Sequence, residues 1–365
     1  MFKKFKYKVP ALALALSILL SACGQNSVDG DNTESDVNET TATSEEVTET
    51  EGVTEESSIG ETEAVTEEES LTEVEINDLH GLVVVPVEPQ TVVSLDSRTF
   101  ETLEAWGIKL AAAPKAVMPA DSVYVDDESV LDIGNHREPN LEIVAAVEPD
   151  LVIIGQRFAN YYEEIKTLVP DAVVIDLNFD VSEAAATPGE NLTNGLKNAT
   201  LNLGKIFNKN TEAEALVTEL DDVIEEVRSA YNGSDTIMSV IVSGGNIGHS
   251  APLSGRVFGP MYEIFDWEPS LLVEDSTSDH QGDNIHVEAI AQANPDWILV
   301  LDRDAAVSST EDAVPAQDII DNAEALQNTT AVKEDRIVYA PNDTYTNESI
   351  HTFIELFNTL ADAFR

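Results

Sequence analysis

One cysteine, Cys23, is all that this 365-residue chain contains, so no disulfide can form within it. Basic residues are scarce as well: 19 Lys and Arg stand against 69 Asp and Glu, a formal net charge of -50 at pH 7. Such a surface repels nucleic acid and disfavours close approach to an anionic membrane. It also makes each arginine informative, because an anionic ligand can be held only where cations are gathered locally. Signatures of catalysis are missing too. There is no GxSxG, no phosphate-binding GxxxxGK[ST] loop and no HExxH, and His136, His249, His286 and His351 are too dispersed for a zinc site. Gly244, Gly245 and Gly248 make a poor phosphate loop and read as a tight turn after a strand. Nothing specific supports an enzyme.

Apolar runs long enough to span a membrane are lacking. Val9 to Leu20 is apolar but short, and Lys3, Lys4, Lys6 and Lys8 precede it, the layout of an export signal. Leu20-Ser21-Ala22-Cys23 then resembles the bacterial lipobox, which implies that residues 1–22 are removed and that Cys23 becomes a lipidated N-terminus. An ordinary secretory signal with an incidental cysteine is the alternative. Residues 23–75 are mainly Glu, Asp, Thr and Ser, with no Lys or Arg. That composition has too little apolar surface to offset chain entropy and predicts a disordered, solvated tether. A calcium-binding or adhesive tract is the other reading, although the charges lack EF-hand spacing.

About 290 residues remain, enough for two α/β lobes. They contain a repeat. NLEIVAAVEPDLVIIGQR, from Asn140 to Arg157, aligns without a gap on HVEAIAQANPDWILVLDR, from His286 to Arg303. Glu142, Pro149, Asp150 and Arg157 match Glu288, Pro295, Asp296 and Arg303. Each copy reads as a helix with a Glu in its first turn, a Pro-Asp stop, and a buried parallel strand, Leu151 to Ile154 or Trp297 to Leu301. Both arginines fall just past the carboxyl ends of their strands, where open α/β sheets bind ligands.

Around the repeat, strands are expected at Val83 to Val87, Thr91 to Leu95, Leu110 to Ala113, Ala172 to Leu177, Thr236 to Val242 and Arg336 to Tyr339. Helices are expected at Phe100 to Trp106, Asn160 to Leu168, Thr187 to Phe207, Glu212 to Tyr231 with Thr211 as cap, and Ser349 to Phe364. The fold class is therefore α/β: two lobes, each a mainly parallel sheet flanked by helices, joined by a single long helix. The boundaries are 76–187 for the N-terminal lobe, 188–208 for the connecting helix and 209–365 for the C-terminal lobe.

The lipobox, the acidic tether, Val92 to Asp96 (VVSLD), Gly134 to Glu142 (GNHREPNLE), the doubled Pro-Asp-strand-Arg unit and the helical connector together resemble the helix-linked, class III type of ABC-importer substrate-binding protein. The resemblance covers essentially all of Ile76 to Arg365. Within that class the chain is similar to the ferric-siderophore binders. GQR at 155–157, SGR at 254–256 and LDR at 301–303 fall where Gram-positive binders of petrobactin-like catecholate siderophores carry cleft arginines. The resemblance implies Arg157, Arg256 and Arg303 as ligand contacts, with His280 and Tyr345 as iron ligands where the siderophore leaves coordination sites open. It implies Glu142 and Glu288 as the groups that dock the lobes onto a permease dimer. It further implies a monomeric, lipid-anchored protein on the outer face of a Gram-positive cell membrane, with a ferric siderophore as transported ligand and no intrinsic cofactor. The chain departs from the family at Asp343 to Ser349, where expected glycines are missing, and in the length of the loop that holds His280.

The chemistry of the residues agrees. A ferric tris-catecholate carries about three negative charges, and guanidinium stays charged, is weakly hydrated and can both hydrogen-bond phenolate oxygens and stack on aryl rings. Arg98 and Lys115 follow strands of the first lobe and are further candidates for the cleft. Haem, cobalamin and citrate-type chelates are the alternative ligands on the same fold. Three arginines favour an anionic chelate over near-neutral cobalamin, and haem calls for an axial Tyr or His. A surface adhesin or a hydrolase on α/β lobes is the reading from another class.

Overall fold

The computed structural model describes residues 72–182, 184–273, 276–277, 281–307 and 314–365. The described chain opens on a hairpin in which β1 (Glu73–Asp78) pairs antiparallel with β2 (Gly81–Pro86). Val74 and Ile76 alternate inward between exposed Glu73 and Glu75, the two-residue period of a half-buried strand. Two sequence expectations change here. β1 begins three residues inside the segment read as tether, and the run Val83 to Val87 belongs to this hairpin rather than to the main sheet.

The first lobe is built on β3 (Val92–Ser94), β4 (Ala112–Ala113), β5 (Leu131–Asp132), β6 (Leu151–Ile154) and β7 (Val173–Asp176), all parallel in the order β5-β4-β3-β6-β7. Every residue of β6 is buried. The reason lies in its two faces: Leu151 and Ile153 enter one core while Val152 and Ile154 enter another, so no position is left for a polar side chain.

The second lobe has β8 (Thr236–Ser243), β9 (Asn246–His249), β10 (Glu268–Pro269), β11 (Trp297–Asp302) and β12 (Ile337–Tyr339). Its parallel order is β10-β8-β11-β12, with β9 folded back antiparallel on β8. Gly244 (φ 57°) and Gly245 (φ 75°) form the turn between β8 and β9, both in the left-handed region that a two-residue hairpin requires. The tight turn expected from the glycines is present. The returning strand β9 was not expected.

The repeat is structural as well as sequential. Glu148 (φ 47°) and Asn294 (φ 48°) stand in the same left-handed conformation before Pro149 and Pro295, ending their helices. The Asp150 carboxylate then accepts the N–H groups of Gln90 (2.8 Å) and Thr91 (2.9 Å). In the second copy Asp296 accepts the N–H (2.8 Å) and hydroxyl (2.9 Å) of Thr236. Each Pro-Asp thus ties the end of a helix to the start of the neighbouring strand.

A helix at Pro188–Ile206 connects the lobes. Leu192 and Leu196 pack in the core of the second lobe, whereas Leu203 and Ile206 pack in that of the first, so one amphipathic face serves both. Gly195 is required where Phe179 lies against this helix, since a Cβ there would come within 2.2 Å of the ring. The next helix, Asn210–Ala230, starts ahead of Thr211, which is therefore inside the helix and not its cap. The last, Ile350–Phe364, is capped by Ser349, whose hydroxyl accepts the Thr352 N–H at 3.1 Å. No helix among the described residues is long and apolar enough to cross a membrane.

Candidate functional site

Four arginines converge where the two lobes meet. Arg98 follows β3 and is buried, its N–H donating to Asp96 at 3.1 Å. Its guanidinium lies 4.0 Å over the Phe179 ring, donates to Asn178 Oδ1 at 3.2 Å, and crosses to the second lobe to donate to Glu348 Oε2 at 3.2 Å. Arg157 leaves Gly155 in a short 3-10 turn at Gln156–Tyr161 and reaches the carbonyl of Tyr345 at 3.5 Å. Both first-lobe cations therefore touch the segment Thr344–Asn347 or the residue after it.

The second lobe supplies the rest. Arg256 sits in a loop held in an uncommon backbone conformation, with Leu253 (φ 69°) and Val257 (φ 62°) both left-handed. Gly255 cannot be replaced there, because a Cβ would lie 2.4 Å from Ser250 Oγ and 2.5 Å from the amide of Ala251. Arg256 donates to the Tyr345 carbonyl at 3.0 Å, pairs with Glu348 Oε1, and stands 4.4 Å over the Tyr345 ring. Arg303 donates to the Tyr345 hydroxyl at 3.3 Å and to Ser243 Oγ at 3.2 Å. Tyr345 is only 4% exposed and lies between two guanidinium groups.

Glu348 is the anion at the centre of this cluster. Burial alone would push its carboxyl up, but Arg256, Arg98 and Arg157 hold it below the usual carboxylate range. Burial, and then the like charge of Arg256, disfavour the charged form of Arg157, while Glu348 supports it. Asp96, fully enclosed beneath Arg98, has its carboxyl pushed up by burial against the pull of that arginine. Three guanidinium Nε–H groups, those of Arg98, Arg157 and Arg256, are buried and meet no acceptor among the described residues. A buried N–H without an acceptor is costly, so the cluster has unfilled capacity for an anion.

The structure thus brings together Arg157, Arg256, Arg303, Arg98 and Tyr345. Lys115 is placed elsewhere: its ammonium donates to the carbonyls of Val125 (3.1 Å) and Asp127 (2.8 Å), which correct its reading as a cleft cation. His280 and Cys23 lie outside the described residues. Glu142 and Glu288 are both exposed in the first turns of helices Leu141–Ala146 and Val287–Ala293. Among the described residues no three His, Cys, Asp or Glu side chains gather as a metal site. Sequence reasoning missed Glu348, Asn178 and Phe179. The one local signal for Glu348 was its place in a segment that lacks glycine, since it adopts φ 51°.

A cavity of about 410 Å³ adjoins the cluster between the lobes, lined by Gln156, Phe179, Ser254, Arg256 and Glu348 among others. A larger one, about 800 Å³, lies wholly in the second lobe beside Gly248, Glu288 and Ile319. Among the described residues no Lys or Arg lines it, so the smaller, arginine-lined cavity is the better match to an anionic ligand.

A fold of two α/β lobes with a ligand cleft between them defines a solute-binding protein. The chain belongs to the periplasmic binding protein family, whose profile matches residues 92–344. It is 24% identical over 343 residues to the petrobactin-binding protein YclQ of Bacillus subtilis, covering 93% of this chain and 92% of that one. To the ferric-anguibactin-binding protein FatB of Vibrio anguillarum it is 28% identical over 267 residues, 73% of this chain and 79% of the other. Among solved structures, the catecholate-siderophore binding protein VctP of Vibrio cholerae superposes with a TM-score of 0.67 at 24% identity, over 79% of this chain and 99% of its own. These neighbours share the two-lobed class III architecture.

Proposed function

We propose that this protein captures a ferric siderophore, an anionic chelate of catecholate or petrobactin-like type, in the cleft between its lobes and hands it to an ABC permease for iron uptake. The observation that carries this reading is the convergence of Arg98 and Arg157 from one lobe with Arg256 and Arg303 from the other on a single site. In a chain with so few basic residues, that concentration of positive charge at a strand-end cleft is suited to a ligand of several negative charges. The names of the relatives, which bind petrobactin and ferric anguibactin, support the ligand class. Binding and delivery, not catalysis, is the role. Tyr345 and His280 are the groups proposed to complete the iron coordination of a chelate that leaves sites open.

A citrate-type ferric chelate is the second reading. A further relative, 22% identical over 277 residues, is the Fe(3+)-citrate-binding protein YfmC of Bacillus subtilis, and arginine accepts carboxylate as readily as phenolate. Titration of intrinsic fluorescence with ferric tris-catecholate, ferric hydroxamate and ferric citrate separates the readings. Tight binding of the catecholate alone is expected. Tight binding of citrate alone transfers the proposal to that class, and failure of all three removes it.

Delivery is proposed to rest on Glu142 and Glu288 and on a lipid anchor at Cys23, with the protein working as a monomer on the extracellular face of the cell membrane. Glu142→Ala with Glu288→Ala should leave siderophore affinity intact while uptake by cells is lost. A helix-dipole role alone would instead cost up to about 1 kcal/mol of stability and spare uptake.

A further inference from the structure

Glu348 carries the wrong charge for a cleft that takes anions. It is 8% exposed and spans the two lobes: Oε2 accepts from Arg98 of the first and Oε1 from Arg256 of the second. It does so from a left-handed backbone conformation at φ 51°, one in which a glycine would rest without strain. Nothing in the local fold requires a carboxylate at that position. Its partners are the arginine cluster, and they lie 250 and 92 residues away in the chain.

We propose that Glu348 is a specificity-determining residue that competes from within for the cleft arginines. This rests on the reading of the site as one for an anionic chelate. Its two oxygens take one donor each from Arg98 and Arg256, and the Arg98 contact joins the lobes across the cleft. A chelate of high negative charge can displace the carboxylate, because it offers several anionic oxygens to guanidinium groups that Glu348 serves with only two. A neutral chelate offers too little charge in exchange and leaves the internal pair in place. Glu348 therefore sets how much of the arginines' charge a ligand can use: it lowers the affinity of anionic chelates, which must displace it, and does not act on neutral complexes, which leave it in place.

The test compares wild type with Glu348→Gln and Glu348→Gly in the full chain. Gln keeps the size of the side chain without its charge, and Gly fits the left-handed backbone, so at least one variant folds. The probes are a hexadentate ferric tris-catecholate of charge about minus three and a neutral ferric tris-hydroxamate. Both variants should bind the trianion about tenfold tighter or more while the neutral chelate changes by less than about threefold. Weaker trianion binding would mean that Glu348 positions the arginines for the ligand, which overturns the proposal. Hydrogen exchange without any chelate supplies the independent arm. Amides of 254–259 and 344–349 should exchange faster in both variants, with the lobe cores unchanged. Unchanged exchange overturns the proposal even if no chelate binds, an outcome that separates its failure from that of the ligand assignment.

Discussion

The two lobes end the same helix–Pro-Asp–strand unit in different ways. In the first lobe β3 runs for three residues and β6 for four, and just beyond them the Asp96 carboxyl packs on Gly155 so closely that a Cβ there would lie 2.1 Å from it. In the second lobe β8 runs for eight residues and β11 for six, and the corresponding pair, Ile241 opposite Leu301, is apolar and fully buried. Arg157 consequently leaves from a 3-10 turn. Arg303 instead opens a short helix in which the Asp302 carboxylate accepts the Ala305 N–H at 2.9 Å. A guanidinium at a strand end is thus placed by two unrelated local solutions. What is repeated is the position of the cation and the Pro-Asp clip, while the residue just before the cation's neighbour is free to be glycine or leucine as its partner strand demands.

Exchanging those residues should have the largest effect. Gly155→Leu drives a side chain into Asp96 and should cost more than about 3 kcal/mol in urea unfolding. Leu301→Gly empties a fully buried site and should cost about 3 to 5 kcal/mol. If either is nearly neutral, the two endings are interchangeable and the partner strand does not dictate the residue. Next come the cations themselves. Arg157→Ala, Arg256→Ala and Arg303→Ala should each weaken binding of a ferric tris-catecholate by about 1.5 to 3 kcal/mol, the value of a charged hydrogen bond. Lys115→Ala should leave it unchanged, and unchanged affinity in two of the three arginine variants would remove the cleft assignment.

Smaller effects sharpen the part that is shared. Asp150→Ala and Asp296→Ala each remove a carboxylate that accepts two hydrogen bonds, and each should cost about 1 to 2 kcal/mol. Unequal losses in calorimetry would mean that the Pro-Asp clip is not equivalent in the two lobes. The least is a difference in acid response. Burial lowers the His249 pKa in the second lobe below 6.5, partly offset by Asp283, so the unfolded chain takes up the proton first. Stability should therefore fall as pH drops through 6.5, and His249→Phe should flatten that slope. Asp96 in the first lobe has its pKa raised above 3.8 by burial, so the folded state takes up the proton first. Its contribution has the opposite sign: stability is recovered as pH falls through the folded value, and Asp96→Asn should abolish that recovery.

Much of this architecture was legible in the sequence because it rests on local rules. Pro149 and Pro295 stop helices, the apolar runs that follow them cannot be solvated and become buried strands, and Gly244-Gly245 makes a turn that few other residues allow. The places where reading failed are those where a partner far away in the chain overrides the local pattern. Val83 to Val87 looks like a core strand, yet its neighbour is the acidic stretch Glu73–Asp78, whose apolar residues are too few to announce it. Lys115 follows a strand as Arg98 does, but nearby carbonyls at Val125 and Asp127 claim its ammonium.

By itself the sequence determined the alternation of helix and strand, the doubled unit and the strand-end arginines, since periodicity, proline and glycine act within a few residues of chain. The tertiary structure alone decided the electrostatics of the site. Arg98 and Arg256 are drawn to opposite oxygens of Glu348, and Tyr345 packs against both Arg256 and Arg303, because the packing of two lobes on one connecting helix brings four distant segments together in a largely buried volume. Only there does a glutamate that is one of many in an acidic chain become the counter-charge of an arginine cluster, since the strength of a charge depends on what surrounds it and not on its place in the sequence.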